Sequence, residues 1–327
     1  MSLGTQQMYP ETLNIPPSIP PEGSQQTLWF QACGIFMCAL LALATLDVLA
    51  KDLVRRNPAP LVNLFRYGVV LIMAMGLMQI KRCLWVLQRQ HRRLVLWRSV
   101  MLGAVGLSFM QALHSMPLAE ATAIYFLSPL IIVALSPWLL GEHFRLRQGM
   151  AVVAGFIGML LIVRPGSQLP LTGTVLMLVA ASSYAMLQIL TRKLAGKVQM
   201  EQQFFWAAGV CTLMTLMSLP TAWPISWPSA TDMALMVLVG ILSGLGQYLL
   251  IQAFQKVPAS SLAPFNYFHL LLAVMFSVVV FGQRPDNIAL TGMAIIACSG
   301  LALTLPVFWT YFAALVARRN SSGLQGK

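Results

Sequence analysis

The chain has 327 residues; 58% are apolar, 9% are charged, and the mean hydropathy is +0.74. A soluble domain carries roughly 25% charged residues, so one soluble core of this size is excluded, along with disordered, fibrous and disulfide-stapled secreted classes. The net charge of +12 is not a nucleic-acid footprint, because in so apolar a chain the placement of Lys and Arg outweighs their sum.

Residues 1–27 are polar and Pro-rich and contain no Lys or Arg. They lack the basic start and early apolar core of a secretory signal, so a disordered tail is expected. Ten apolar segments follow, near 28–50, 61–80, 95–115, 118–140, 147–164, 172–191, 203–220, 231–254, 259–281 and 287–308. The apolar total of about 190 residues suits roughly nine or ten membrane spans. The breaks carry Pro, Gly or charge, as at Asn57-Pro58, the basic 81–93 run, Met116-Pro117, Gly141-Glu142, Val257-Pro258 and Gly282-Gln283. Backbone at membrane depth must satisfy its own hydrogen bonds, so the segments are helices. The fold class expected is therefore an all-α integral membrane protein with ten transmembrane helices, ending in a short tail over 309–327.

Charge sets the orientation. With the N-terminus in the cytoplasm, fifteen Lys and Arg fall on the cytoplasmic side and five on the far side, with Arg66 inside a span. The excess places both termini inside. Trp29, Trp97, Trp138, Trp223, Trp227 and Trp309 fall near span ends, as an interfacial aromatic belt requires. Five cysteines show no metal-ligand spacing and imply no disulfide framework. No cofactor or metal is expected.

A shift of 141 residues brings the halves into register: Ala44 meets Ala185, Gly68 meets Gly209, Gly103 meets Gly244, Pro117 meets Pro258 and Gly141 meets Gly282. Each half holds five spans. Five is odd, so the second half enters the membrane from the opposite side, which gives the inverted-topology repeat of secondary transporters. The halves are assigned to 28–166 and 167–308.

The sequence resembles the drug/metabolite transporter superfamily, within it the ten-span group with two EamA domains. The residues that carry the resemblance are LDVLAKDL at 46–53, LFRYGVV at 64–70, MPLAEATAIYFLSPLIIVALSPWLLGE at 116–142 and KVPASSLAPFNYFHLLLAVMFSVVVFGQ at 256–283. The family's Gly-Glu after the fourth span is Gly141-Glu142; its second-half counterpart is Gly282-Gln283, which has lost the acid. The resemblance implies a bacterial-type inner-membrane carrier of small organic solutes, often amino acids or metabolites and frequently an exporter. Uptake of a vitamin or nucleotide-like metabolite is the alternative.

Candidate site residues follow from the cost of polar groups in a bilayer. The fourth and ninth spans are both interrupted, by Pro129 and Pro137 and by Pro264. Paired interrupted helices point to a transporter site. Tyr125, Ser128, Asn266, Tyr267 and His269 lie near their midpoints, and Tyr184, Gln188 and Gln247 could line the same cavity. Asp47 and Lys51 are one helical turn apart and can pair. By depth along the first hairpin, Asp47 can also meet Arg66. Such a pair either fixes packing or contacts solute or proton. His114 and His269 are the histidines within spans, and each can take up a proton near neutral pH. Gln111 and His114 are expected near a gate. Glu120 is expected to cap the fourth span at its N-terminus. Gly240, Gly244, Gly155 and Gly158 sit at helix-packing spacing. There is no Walker loop for ATP. Scattered single acids argue against an intramembrane enzyme, and the lack of a charged ring or filter repeat argues against a channel. The partners expected are a small-molecule solute, the lipid bilayer and protons.

Overall fold

The computed structural model describes residues 22–82, 87–140, 146–163, 169–194, 197–222, 227–256 and 265–302, with Leu262 and Leu305. The helices are α1 (Glu22–Arg56), α2 (Ala59–Ile80), α3 (Arg89–Ser115), α4 (Leu118–Tyr125), α5 (Ser128–Leu140), α6 (Leu146–Val163), α7 (Leu171–Leu194), α8 (Met200–Ser218), α9 (Ala230–Lys256), α10 (Asn266–Val279) and α11 (Asn287–Ala302). Each of the ten apolar segments contains helix, and no strand occurs among the described residues. Six stretches are long and apolar enough to cross a membrane, while Gly149–Val163, Asn266–Val279 and Asn287–Ala302 are shorter apolar helices.

Two helix starts differ from those expected. Helix α1 starts at Glu22, so residues 22–27 are helical rather than part of a tail; no Pro follows Pro21 to stop the helix until Pro58. Residues 1–21 lie outside the described residues, as do Gly141, Glu142, Pro264 and 306–327. The basic 81–93 run is helical from Arg89 onward.

The fourth segment is broken. Helix α4 ends at Tyr125 and α5 begins at Ser128, just before Pro129. Proline has no N–H to return to the Tyr125 carbonyl, and its ring crowds the preceding turn. Leu118 through Ile124 are all buried. A helix buried on every side belongs at the centre of a bundle, and α4 packs there against α3, α7 and α10.

The most extensive packing is of α3 on α7 and of α1 on α9. These two pairs exchange under the 141-residue shift. So do two close contacts. Met214 of α8 fills the space a Cβ would occupy at Gly103 of α3, and Met73 of α2 does the same at Gly244 of α9. Val69, one turn before Met73, takes the corresponding place at Gly240. Gly158 of α6 and Gly292 of α11 face each other so closely that a Cβ on either would strike the other's carbonyl oxygen. Only glycine permits that backbone approach.

Helix α10 ends at Val279, and the turn after it closes on Gly282, whose φ of 63° is the left-handed conformation that glycine adopts without steric cost. The N–H of Gly282 returns to the Val278 carbonyl at 3.1 Å, and that of Gln283 to the Ser277 carbonyl at 2.9 Å. The glycine of the second-half Gly-Gln is therefore a helix stop.

The outer face is apolar. Ile72, Val153, Phe156, Leu160, Leu213, Met217 and Leu238 are all exposed, as a surface solvated by lipid requires. Trp97, Trp138 and Trp227 are exposed, but Trp29 is buried against Phe30 and Phe265. Trp29 is thus core rather than belt.

A candidate solute site at the centre of the bundle

Proline at position 129 leaves the α4–α5 break beside Tyr125. The Tyr125 ring lies 5.3 Å from Phe109 of α3 and 5.2 Å from Tyr184 of α7, centroid to centroid. Gln188, one turn after Tyr184, donates its amide N–H to the Tyr184 hydroxyl at 2.7 Å. Tyr67 of α2 fills the space beside Gly106, one turn before Phe109 on α3. Helices α2, α3, α4 and α7 therefore meet around this aromatic cluster.

Two charged groups border this cluster. Asp47 of α1 is buried, and its Oδ2 stands 3.1 Å from Nε2 of His269 on α10. That nitrogen is at ion-pair distance but lacks the alignment of a hydrogen bond. The His269 ring sits edge-on to Phe126, at 6.2 Å. Arg66 of α2 donates from Nε to the Ser243 hydroxyl of α9 at 3.0 Å, and its guanidinium lies 5.2 Å from the centre of the Tyr67 ring. Gln247, one turn beyond Ser243, is half-buried.

The expected Asp47–Arg66 pair does not form. Depth along a hairpin does not fix which face of each helix a side chain occupies, and packing turns Asp47 toward α10 and Arg66 toward α9. Nor does Lys51 pair with Asp47. The buried Lys51 ammonium donates to the carbonyls of Leu113, at 2.5 Å, and of Met116. Those carbonyls lie at the C-terminal end of α3, where helix geometry leaves acceptors unpaired and a cation is favoured. His114, in the last turn of α3, is exposed and stands outside the cluster, as does Gln111.

The remaining expected residues divide. Ser128 is buried at the first position of α5. Asn266 is half-buried at the start of α10. Tyr267 belongs to the packed core: its ring lies 5.5 Å from Phe126, and its phenol fills the space beside Gly300 of α11. Its hydroxyl is buried without a hydrogen-bond partner. Glu120 sits in the first turn of α4, as expected, but the N-cap Pro117 makes no side-chain capping bond there. One Glu120 carboxylate oxygen is buried without a partner.

Two features escaped the sequence reading. Ser243 lies between Gly240 and Gly244, where it reads as one more small packing residue; its one-turn offset from Gln247 was the available signal. The second joins the ends of α1, α2 and α9. Asp232 stands 3.0 Å from Nη1 of Arg56 and accepts from the Asn57 amide at 3.2 Å, while its N–H donates to the Ser229 hydroxyl at 3.1 Å. Arg56 also pairs with Asp52 on α1. Among the described residues no cluster of metal-ligating side chains occurs.

The EamA-like transporter family model matches residues 31–164 and again 171–315. An S-adenosylmethionine uptake transporter of Rickettsia bellii is 28% identical over 189 residues, 58% of this chain and 64% of that protein. The chain thus matches less than two thirds of that relative's length. A pseudopaline exporter of Pseudomonas aeruginosa is 24% identical over 278 residues, 83% of this chain and 96% of that protein. A solved crystal structure, 20% identical, superposes with a TM-score of 0.60 over 86% of this chain and 98% of its own, and so shares the fold. Matched twice by the family model and built of helices of which six are long and apolar enough to cross a membrane, the chain belongs to the EamA-like transporter family.

Proposed function

We propose that this protein is a secondary carrier that moves a small organic solute, an amino acid or related metabolite, across the inner membrane by alternating access. One observation carries the reading: polar side chains from α1, α2, α4, α7, α9 and α10 converge at mid-bundle, where each would otherwise be costly. The proposed solute contacts are Tyr125, Ser128, Tyr184, Gln188, Gln247, Asn266 and His269. The halves at 28–166 and 167–308 are taken as inverted five-helix repeats of a ten-span fold. The mated contacts Gly103–Met214 and Gly244–Met73 support this. The Lys and Arg distribution supports cytoplasmic termini. The driving force is a solute or proton gradient.

Export is the direction proposed, supported by the likeness to the pseudopaline exporter along nearly its whole length. Uptake of a nucleotide-like metabolite is the second reading, supported by the likeness to the S-adenosylmethionine uptake transporter. Counterflow in liposomes tests the carrier itself. Unlabelled solute trapped inside should accelerate entry of labelled solute, saturably and without ATP. Steady conductance with no acceleration would instead describe a channel. Purified protein reconstituted in one orientation would then separate export from uptake by the side with the higher affinity.

A further inference from the structure

We propose that Arg66 is the anion-binding residue of the central site, and that the solute places a carboxylate on Arg66 and its cationic pole toward Asp47. The inference rests on the carrier reading above and names the solute class for it: a zwitterion of the amino-acid type.

Arg66 lies within the apolar span Ala59–Ile80, where an ionised group is costly unless paired or hydrated. Its guanidinium offers five N–H donors in a rigid fork. One of them, on Nε, goes to Ser243. Among the described residues no carboxylate pairs with it, and the half-buried side chain leaves both Nη nitrogens without a protein acceptor. Ser243 thus fixes the fork and leaves its outer edge open. Two parallel N–H groups match a carboxylate better than any other common anion of that size.

The opposite pole is equally placed. Asp47 is buried, and among the described residues its one neighbour within ion-pair distance is His269. The misaligned imidazole leaves the carboxylate free to accept from an ammonium. Lys256 of α9 meets Gln31 of α1, and Gly246 of α9 packs on Leu43 of α1, so the same antiparallel contact brings Ser243 and Asp47 to one level of the bundle and one small solute can span the two poles. Phe109, Tyr125 and Tyr184 supply an aromatic wall for the rest of it. Had Asp47 and Arg66 neutralised each other, the site would suit an uncharged solute. Kept apart, they select a dipole and reject a polyanion.

The test uses the full chain in liposomes with matched probes: phenylalanine against phenethylamine, methionine against its decarboxylated amine, and uridine and riboflavin as neutral controls. Exchange of the amino acids without the amines is expected. Arg66→Gln should raise the half-saturating amino-acid concentration by about tenfold or more, with the maximal rate retained. Arg66→Lys, which keeps the charge but loses the fork, should fall between. If Arg66→Gln does not fold, Ser243→Ala serves in its place, with an expected rise of about threefold. Amines or neutral probes exchanging as well as the amino acids, or wild-type half-saturation in both variants, would overturn the assignment and leave the carrier intact. Failure of every probe to exchange would overturn the carrier reading itself.

Discussion

Two charged regions of this bundle are built in opposite ways. At the end where α1, α3 and α9 meet, the cations are discharged by the protein: Lys51 on two carbonyls of the α3 terminus, Arg56 on Asp52 and Asp232. At mid-bundle, among the described residues, Arg66 has one hydroxyl and the face of the Tyr67 ring but no carboxylate, and Asp47 has a misaligned imidazole. Saturated groups hold helices together, because each removal strands a partner in a dry interior. Open groups contribute little to the fold and wait for something to bind. On the proposed reading, the same residue types do structural work at one level of the bundle and recognition at another.

The strongest way to break this comparison is at Lys51. Lys51→Met keeps the apolar stem and removes the ammonium, so the carbonyls of Leu113 and Met116 lose their donor inside the core. The expected loss is about 2–4 kcal/mol, read as a lower thermal midpoint in detergent and reduced yield of monodisperse protein. A midpoint equal to that of the wild type would show that water serves those carbonyls as well as lysine does. Asp232→Ala comes next. It removes one of the two carboxylates on Arg56, which is half-exposed, and the carboxylate that accepts from the Asn57 amide. Because solvent screens the exposed partner, the expected cost is about 1 kcal/mol. A cost above that of Lys51→Met would reverse the order of the two anchors.

How far the sequence carried is plain from individual residues. Helix positions were legible because the apolar runs and Pro or Gly breaks act locally; the break at Pro129 follows from a missing N–H. Asp47, Arg66 and His269 were legible as exceptions to an apolar background. Their pairing was not. It depends on how α1 meets α10 and α2 meets α9, and one-dimensional depth says nothing of rotation about a helix axis. Ser243 was hidden because serine is ordinary in a span. Asp232 was hidden because an acid at a helix start reads as favourable dipole placement, with no hint of the distant Arg56.

Arg66→Gln sharpens the comparison from the other side. The bond to Ser243 and the contact with the Tyr67 ring are lost, and glutamine can replace part of the first. The folded state should change by less than about 1 kcal/mol, measured beside Lys51→Met in the same detergent. Solute exchange should suffer far more than the fold. Destabilisation on the Lys51→Met scale would mean that Arg66 is another anchor, and the distinction between the two levels would collapse.

The smallest effect is expected at Tyr267. Sequence position places this residue beside the ninth-span interruption, among candidate solute contacts, but its ring packs on Phe126 and its phenol abuts Gly300. The buried hydroxyl has no partner, so it bears a desolvation cost without a hydrogen bond in return. Tyr267→Phe keeps the ring and deletes that oxygen. Stability should stay level or rise by up to about 1 kcal/mol, with exchange kinetics unchanged. A rise in half-saturation with normal stability would mean that the hydroxyl turns to the solute during the cycle. The site would then extend from Asp47 and His269 past Phe126 toward α11, and the open region of the bundle would be larger than the ring formed by Arg66, Tyr125 and Tyr184.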